Sequence, residues 1–402
     1  MRFALLSVLL AHAVCAADVL DYRVELTSPT KLFDGTFSWA HPKMGTVPPG
    51  AAGNTSGMPM VVMTMQRVDL SASDLFNPLE VMTTSDLGKT WTGPAPISGA
   101  GFEWRKVEGG RVMTVCDFTP MWHAASGKLL GTGHTVYFDG KLIPRARPRA
   151  TAYSAYDPAT GAWSPWEAMK MPDDPRFADA SAGCTQRVDL PDGDILLPIY
   201  FGEIGKSAHA VTVVRCRFDG KTLSYVEHGT ELHIDTDRGL AEPSLAKFGD
   251  RFYLTVRHDK NAYVAASADG LHFDVLKPWA FDDGGELGSY NTQAHWITHS
   301  GGLFLAYTRR GANNDNVFRH RAPLFMARVD PRKLQVIRAT ERELMPNRGA
   351  RLGNFSVTNV SPDETWVSDA EWMQPKGCEK YGADGSVWVS KIHWSKPNQL
   401  AK

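Results

Sequence analysis

The chain has 402 residues, with 43 lysines and arginines against 44 aspartates and glutamates, so its formal net charge is −1 at pH 7. This balance supplies no general field for holding nucleic acid or an anionic membrane, and an acidic ligand must therefore meet a local cluster of cations. Beyond the N-terminus no stretch approaches the roughly 20 uninterrupted apolar residues of a membrane helix. We expect no nucleic-acid partner and no membrane span.

The N-terminus has the pattern of an export signal. Arg2 gives a positive start, residues 3–14 are mostly apolar, and Val14, Cys15 and Ala16 place compact residues before a break. We predict a cleaved signal peptide at residues 1–16, a mature domain at 17–402, and a secreted or periplasmic protein. A lipoprotein signal at Cys15 fits less well, because the usual leucine and small residue before the cysteine are missing.

Four cysteines remain after such cleavage: Cys116, Cys184, Cys216 and Cys378. Their spacing contains no C-x-x-C pair, so it gives no zinc or redox motif, and no metal-ligating set is predicted from it. An oxidising compartment allows one or two disulfides, and buried free thiols are an equal alternative.

Short runs rich in β-branched and aromatic residues recur along the chain between turns that contain Gly, Asp, Asn or Pro. A polar first strand, a tight turn and an apolar second strand repeat at roughly 50 to 60 residues, the spacing of a four-stranded propeller blade. Six such units are visible, at residues 58–64, 122–130, 186–196, 243–254, 293–305 and 357–366. We predict an all-β, single-domain β-propeller. A seventh unit could lie at 92–117, or between the termini, where 22–26 would pair with 387–394.

A second motif supports the propeller. Residues 84–91 match the Asp-box pattern S/T-x-D-x-G-x-T-W, in which Asp86 caps a tight hairpin, Gly88 takes a positive φ, and Trp91 packs between blade strands. Weaker copies occur at 267–273 and 154–163. The motif is structural and names no reaction.

Polar residues where blades begin are the best functional candidates, because inner strands and the loops entering them line a central funnel. His41 precedes Pro42 in a rigid loop, where it either serves a sugar pocket or is a hydrogen-bonded structural histidine. His123 and His134 flank one hairpin, whose pairing could bring them close as an acid/base pair. Ordinary strand histidines explain them as well. Tyr200 is either a funnel phenol or a packed aromatic.

Several other side chains could bind an acidic ligand. Arg319 and Arg321 alternate around His320, which in a strand would put both guanidiniums on one face to grip a carboxylate. Asn291, Gln293 and His295 also alternate and could hold a divalent cation such as calcium, although a hydrogen-bonded array is the simpler interpretation. Further candidates for ligand contact are Arg215, Arg257 and Arg351. The acids are scattered, and no spacing pairs two of them for glycoside hydrolysis.

The Asp-box resembles that of sialidases, but their early F/Y-R-I-P arginine motif is missing; Arg321-Ala322-Pro323 is the nearest string and lies far too late. A broader resemblance runs through residues 33–35, 41–45, 61–64, 84–91, 133–135, 288–293, 319–325 and 349–355. It is to glycoside hydrolase family 145 and the related rhamnose–glucuronate lyases and ulvan lyases.

This resemblance implies a seven-bladed propeller that removes a terminal sugar, α-L-rhamnose linked to glucuronic acid, from an acidic polysaccharide or glycan. It implies His41 as the catalytic residue, on the face opposite the funnel that the lyases use. The alternative is an exo-acting uronate lyase, in which His123, His134 or Tyr200 removes the C5 proton while an arginine such as Arg215 neutralises the carboxylate. A sialidase-like enzyme or a propeller that only binds glycans is the third alternative.

Overall fold

The computed structural model describes residues 20–72, 74–144 and 147–401. The expected signal peptide lies outside these residues. They contain 28 β-strands arranged in six sheets, and within them only short 3-10 turns accompany the strands. These turns are Glu108–Gly110, Pro175–Phe177, Phe318–His320, Arg338–Thr340 and Cys378–Tyr381. The predicted all-β architecture is therefore confirmed.

Each sheet is one antiparallel blade, and the blades follow one another along the chain. Blade 1 contains β2 Phe37–Val47, β3 Met60–Asp69, β4 Leu75–Thr84 and β5 Thr92–Pro96. Blade 2 contains β6 Arg105–Lys106, β7 Val112–His123, β8 Lys128–Phe138, β9 Thr151–Asp157, β10 Ala162–Trp163 and β11 Glu167–Ala168. Blade 3 contains β12 Asp179–Ser181, β13 Val188–Asp189, β14 Ile195–Gly202, β15 Ala210–Phe218 and β16 Leu223–His228.

The second half of the ring repeats the pattern. Blade 4 contains β17 Ala241–Phe248, β18 Arg251–Arg257, β19 Tyr263–Ser267 and β20 Lys277–Pro278. Blade 5 contains β21 His295–His299, β22 Gly302–Tyr307, β23 Leu324–Asp330, β24 Gln335–Val336 and β25 Arg342–Met345. Blade 6 contains β26 Ser356–Ser361, β27 Glu364–Ala370, β28 Ser386–Trp394 and, from the start of the described chain, β1 Tyr22–Lys31.

The six sequence units coincide with the inner parts of these six blades. The seventh blade implied by the family resemblance does not occur among the described residues, because 92–117 contributes only the outer strand of blade 1 and the start of blade 2. The predicted pairing between the two ends of the chain is confirmed: β1 pairs with β28, with Tyr22 opposite Trp394 and Leu26 opposite Ser390. The two ends of the chain thus complete one sheet.

The Asp-box turns are built as the sequence predicts. Asp86 accepts hydrogen bonds from the backbone N–H of Thr90 at 3.0 Å and from the Thr84 hydroxyl at 2.8 Å, in the turn between β4 and β5. Asp269 occupies the same place in blade 4. Aspartates cap the corresponding turns of three further blades at Asp157, Asp219 and Asp330. A short aspartate thus satisfies exposed N–H groups at the same turn of five blades.

Apolar side chains fill the spaces between blades, and seven of the buried clusters run across neighbouring sheets or their connecting loops. All four cysteines of the described chain are buried free thiols, which decides between the two alternatives left by the sequence. Within the described residues no helix is long and apolar enough to cross a membrane.

The strand order defines two faces of the ring. Because each blade is an antiparallel meander, the loops between its second and third strands lie at the same end as the connections to the next blade. We call this end the upper face. Each inner strand, or the segment just before it, has one residue other than glycine with a φ between 45° and 61°. These six residues are His41, Asp117, Cys184, Glu242, Asn291 and Asn354.

Candidate functional site

The six left-handed residues surround the upper end of the central channel. In β2, β7 and β17 they lie in bulges, where the register shifts after Ala40, Cys116 and Ala241 respectively. A bulge inserts an extra residue and redirects the side chains that follow. The left-handed backbone recurs in all six blades, and a bulge accompanies it in three of them, at β2, β7 and β17.

His41, Asp117, Cys184 and Asn354 meet inside this ring. The Asn354 amide nitrogen lies 2.8 Å from His41 Nε2 and 3.1 Å from Asp117 Oδ1, and the Cys184 thiol donates to Asp117 Oδ1 at 2.7 Å. His41 Nδ1 is 3.2 Å from Asp117 Oδ1 without the alignment of a hydrogen bond. Burial lowers the pKa of His41, although Asp117 opposes this shift, and His41 is only 1 % exposed.

A lysine fills the channel below. Lys43 is fully buried, and its Nζ donates to the Phe355 carbonyl at 3.0 Å and lies 3.5 Å from Cys184 Sγ. The Lys43 side chain of blade 1 therefore contacts the Cys184 side chain of blade 3 and a backbone carbonyl next to β26 of blade 6. The channel is a packed core at this level rather than an open pore.

Tyr200 belongs to a separate network between blades 2 and 3. Its hydroxyl accepts from Arg149 at 3.0 Å, and Arg149 also pairs with Asp179 through two bonds of 2.6 and 3.1 Å. His209 Nε2 lies 3.2 Å from the same carboxylate. Burial raises the pKa of the Tyr200 phenol. Tyr200 is thus a packed aromatic whose hydroxyl is already bonded.

Arginines converge on the opposite side of the upper face, around Asn291. The Asn291 side-chain oxygen accepts from Arg257 at 2.7 Å and from Arg238 at 3.1 Å, and its backbone carbonyl accepts from Arg321. Arg257 also pairs with Glu242. Arg319 and Arg351 both contact the Phe318 ring, at 4.9 and 5.3 Å from its centroid. We call Arg257, Arg319, Arg321 and Arg351 the arginine cluster.

Arg321 carries the least compensated charge of the cluster. It is 3 % exposed, its Nε has no hydrogen-bond partner, and within the described ranges no carboxylate oxygen lies within 4 Å of its guanidinium. Burial and the neighbouring Arg257 and Arg351 lower its pKa. Burial likewise lowers the pKa of Arg319 and of Arg351, with repulsion from Arg257 adding to each. A buried cation without an anion is costly, so an anionic ligand would relieve this site.

A cleft of about 340 Å³ opens beside the cluster. This volume is at the lower end of the ~300–1,000 Å³ usual for small-molecule sites. The cleft is lined by Leu70, Phe318, Arg319, Arg351, Met373, Gln374, Pro375 and Lys376. Arg351 lies 3.6 Å above the Trp372 ring, and that ring in turn contacts His41 at 5.7 Å between centroids. Trp372 thus contacts both His41 and Arg351, and Arg351 lines the cleft.

Tyr290 and His320 form a bonded pair at the edge of the arginine cluster. The Tyr290 hydroxyl lies 2.6 Å from His320 Nδ1, and His320 Nε2 lies 3.3 Å from Asp315. Burial raises the pKa of Tyr290, and the charges of Arg310, Arg319 and Arg321 oppose that rise. Charges of the arginine cluster therefore act on the Tyr290 phenol.

Two of the predicted residues lie elsewhere. His123 is at the lower end of β7, where it contacts Ser126 Oγ at 2.8 Å and the Gly193 carbonyl at 3.1 Å. It pairs with Lys128 next to the turn, whereas His134 pairs with Cys116 well away from the turn, so the register keeps the two histidines apart. Arg215 points to Asp194 at 2.6 Å and Asp192 at 3.0 Å, away from the upper face. The expected approach of His123 to His134 is wrong, because antiparallel register separates them.

Gln293 and His295 are structural neighbours of the ring. The Gln293 amide oxygen accepts from the backbone N–H of Asn354 at 2.8 Å and of Phe355 at 2.9 Å. His295 Nδ1 lies 2.6 Å from Ser244 Oγ, and burial lowers its pKa well below the usual range. Because Asn291 binds two arginines, these three residues form a hydrogen-bonded array, and calcium binding there stays a prediction.

Two further expectations need correction. Residues 318–320 form a 3-10 turn in which Arg319 and His320 have φ of 57° and 53°, so the two arginines do not alternate in a strand. They reach the same cluster through this turn. The resemblance places His41 on the face opposite the lyase funnel, in which His134 is a candidate base, but both histidines lie beside Asp117. His41 Nδ1 is 3.2 Å from Asp117 Oδ1, and a His134 nitrogen is within 4.8 Å of an Asp117 oxygen.

Sequence reasoning missed the functional interest of Glu242, Tyr290 and His320 as site residues. Glu242 lies beside a proline in the sequence Ala241-Glu242-Pro243, as His41 does, and that shared pattern was the available signal. Tyr290 and His320 are thirty residues apart, and no local pattern joins them.

No known protein-family model matches the chain, and a search of curated proteins gives no match. Solved structures do match. Trypanosoma rangeli sialidase is 13 % identical with a TM-score of 0.57, covering 92 % of this chain and 59 % of its own. A Hadza microbial sialidase is 12 % identical with a TM-score of 0.60, covering 89 % and 66 %. A Dyadobacter fermentans protein of unknown function is 13 % identical with a TM-score of 0.57, covering 92 % and 99 %.

These likenesses concern the fold alone. The chain has the propeller fold of sialidase-like proteins, as the Asp-boxes predict. It spans about three fifths of the trypanosomal sialidase.

Proposed function

We propose that the upper face binds the carboxylate of an acidic sugar and that the protein is an enzyme that cleaves a glycosidic linkage beside it. The arginine cluster carries this proposal. Arg321 is buried without a carboxylate partner among the described residues, and Arg319 and Arg351 line the adjacent cleft. Guanidiniums are suited to paired hydrogen bonds with a carboxylate.

The sugar ring itself would occupy the cleft. Its lining combines Phe318 with the apolar side chains of Leu70, Met373 and Pro375, while Gln374 and Lys376 supply hydrogen-bond donors. An apolar surface with a few polar groups is the usual composition of a small-molecule site. Sialidases among the structural neighbours act on an acidic sugar, which makes a glycan substrate a natural first test.

The finer hypothesis is removal of a terminal α-L-rhamnose from glucuronate. With the glucuronate carboxylate on the cluster, the neighbouring linkage would lie near Trp372, directly behind which His41 is held. His41 would take part in hydrolysis of this linkage only after Trp372 or Phe76, whose rings cover it, moves aside.

Elimination at a uronate is the second candidate, and Tyr290 with His320 favours it. The base removes the C5 proton, the C4–O bond breaks, and a C4–C5 double bond forms while the leaving oxygen takes a proton. Since burial raises the pKa of Tyr290, the phenol would act by passing its own proton to His320 at 2.6 Å. Arginines beside the carboxylate would stabilise the negative charge that develops.

One experiment tests these alternatives together. The purified protein is incubated with a rhamnose-capped glucuronate glycan, a uronate oligosaccharide and a sialoside, and the products are identified by mass spectrometry. Release of rhamnose supports hydrolysis, and new ultraviolet absorbance of an unsaturated uronate supports elimination. Activity retained in full by His41→Ala would remove His41 from the mechanism. Absence of both turnover and binding on every acidic glycan would contradict the proposal.

A further inference from the structure

A cluster of ligand-type side chains lies in blade 2, apart from the arginine cluster. Cys116 in β7 and His134 in β8 occupy directly paired positions of the antiparallel ladder. Directly opposite residues place their side chains on the same face of a sheet. The Cys116 Sγ and His134 Nε2 atoms accordingly lie 3.0 Å apart, and both side chains are buried.

Asp117 reaches the same place because of the bulge. Consecutive strand residues normally point to opposite faces, so Cys116 and Asp117 would diverge in a regular strand. Here the register shifts after Cys116, and Asp117 has a φ of 51°. One ligating atom from each of Cys116, Asp117 and His134 lies within 4.8 Å of the others.

We propose that Cys116, Asp117 and His134 bind a zinc-class transition-metal ion. A thiolate, an imidazole nitrogen and a carboxylate oxygen form a donor set that zinc uses, and a thiolate favours such an ion over calcium or magnesium. The Cys184 thiol donates to Asp117 Oδ1 at 2.7 Å but lies outside this group of mutually close ligand atoms, so the site has three protein ligands. The ion would replace the Cys116 thiol proton, which is released to solvent.

The nitrogen that binds is Nε2. His134 Nδ1 has no hydrogen-bond partner and faces Gly183, where an added Cβ would lie only 2.0 Å from it. No ion fits between them. With Zn–S near 2.3 Å and Zn–N near 2.0 Å, tetrahedral ligands lie about 3.5 Å apart, so Cys116 and His134 would separate by roughly half an ångström on binding.

The proposed metal site is separate from the arginine cluster. The arginine cluster is built on blades 4 to 6, whereas the three ligands belong to a single hairpin of blade 2. Two arginines act on both Cys116 and His134. Arg149 is compensated by its paired bonds to Asp179, and Arg147 donates to the Pro144 carbonyl. Asp117 is itself one of the six left-handed residues of the central ring, and its Oδ1 lies 3.2 Å from His41 Nδ1, so the ion would tie blade 2 to that ring.

Cobalt provides the test, because a thiolate bound to Co²⁺ gives a ligand-to-metal charge-transfer band. The full chain is stripped with chelator, titrated with Co²⁺ and then with Zn²⁺, and its metal content is measured after dialysis. We expect about one ion per chain, a thiolate–cobalt band that zinc bleaches, and loss of both in Cys116→Ser and His134→Gln. Cys378→Ser, which removes a buried thiol far from the hairpin, should keep the band.

Three results would overturn the site. The first is wild-type protein that takes up no stoichiometric cobalt or zinc, a result that needs no variant to fold. The second is a band that persists in Cys116→Ser, and the third is a band that disappears in Cys378→Ser. Gly183→Ala adds a further check: by pressing on His134 it should weaken zinc affinity at least tenfold, and unchanged affinity would contradict the participation of His134.

Discussion

Asn291 holds its side-chain oxygen 2.7 Å from the Arg257 guanidinium while its own backbone is left-handed, with a φ of 54°. Its backbone carbonyl simultaneously accepts from Arg321. A single asparagine therefore organises two members of the arginine cluster, and it does so from a conformation that asparagine tolerates better than most residues.

Substitution of Asn291 should separate backbone strain from hydrogen bonding. Asn291→Gly keeps the left-handed backbone and loses the amide, whereas Asn291→Ala loses both. We expect the alanine variant to be less stable than the glycine variant by about 1 kcal/mol, with affinity for an acidic glycan reduced in both. Urea denaturation and calorimetric titration measure the two effects. Equal stability of the two variants would mean that strain at residue 291 is unimportant.

The buried charge of Arg321 should destabilise the folded protein when no ligand is bound. Because its buried charge has no carboxylate partner among the described residues, Arg321→Met should raise the free energy of unfolding by about 1–3 kcal/mol. Arg149→Met is the matched control, since Arg149 is also buried but paired with Asp179, and it should destabilise the protein. Differential scanning calorimetry at neutral pH measures the stability of both variants relative to wild type. Destabilisation by both variants would show that the Arg321 charge is already compensated.

Tyr290→Phe tests elimination. Removal of the hydroxyl should lower kcat by roughly 10²–10⁴-fold with little change in KM on a uronate substrate, because the phenol relays the proton and does not hold the sugar. The control is Tyr225→Phe, which deletes a similar bond, 2.7 Å from Tyr225 to His228, on the outer strand of blade 3. If Tyr290→Phe and Tyr225→Phe have the same kcat, the Tyr290–His320 pair is not the base.

Asp86 should give an acid-dependent contribution to stability. Hydrogen bonds from Thr90 and Thr84 lower its pKa from the ordinary 3.8 to about 2 in the folded chain. A depressed folded pKa means that the stabilisation is complete above about pH 4 and is lost as the pH falls towards 2. Asp86→Asn should therefore lower Tm at pH 6 and have little effect at pH 2. Asp173→Asn, at an exposed site, is the control. If Asp86→Asn lowers Tm by the same amount at pH 6 and at pH 2, the lowered pKa of Asp86 is contradicted.

Local patterns predicted most of the fold. Each blade has its own turn residues and alternating strands, and the pairing of β1 with β28 could be predicted because both runs are strand-like and lie at the two ends of a ring. The count of seven blades came from resemblance and did not hold for the described chain. Six units were visible in the residues themselves, and those are the blades that form.

The site was less accessible to sequence reasoning. The arginines at 257, 319, 321 and 351 were all candidates, but Arg319 and Arg321 reach the cluster through a left-handed turn that no alternation pattern reveals. Cys116 and His134 are joined by strand register, and Asp117 by a bulge, so cysteine spacing could not indicate their proximity. Contacts set by irregular backbone appear only in three dimensions.

The most direct measurement compares one ligand in two charge states. A glucuronate-containing oligosaccharide, and the same oligosaccharide with its carboxylates reduced to alcohols, are titrated by calorimetry into the wild-type protein and into Arg321→Met. We expect the wild-type protein to bind the carboxylate form. The affinity should be at least tenfold lower for the reduced oligosaccharide with wild type, and for either oligosaccharide with Arg321→Met. Equal affinity for the acidic and the reduced oligosaccharide would contradict carboxylate recognition by the arginine cluster.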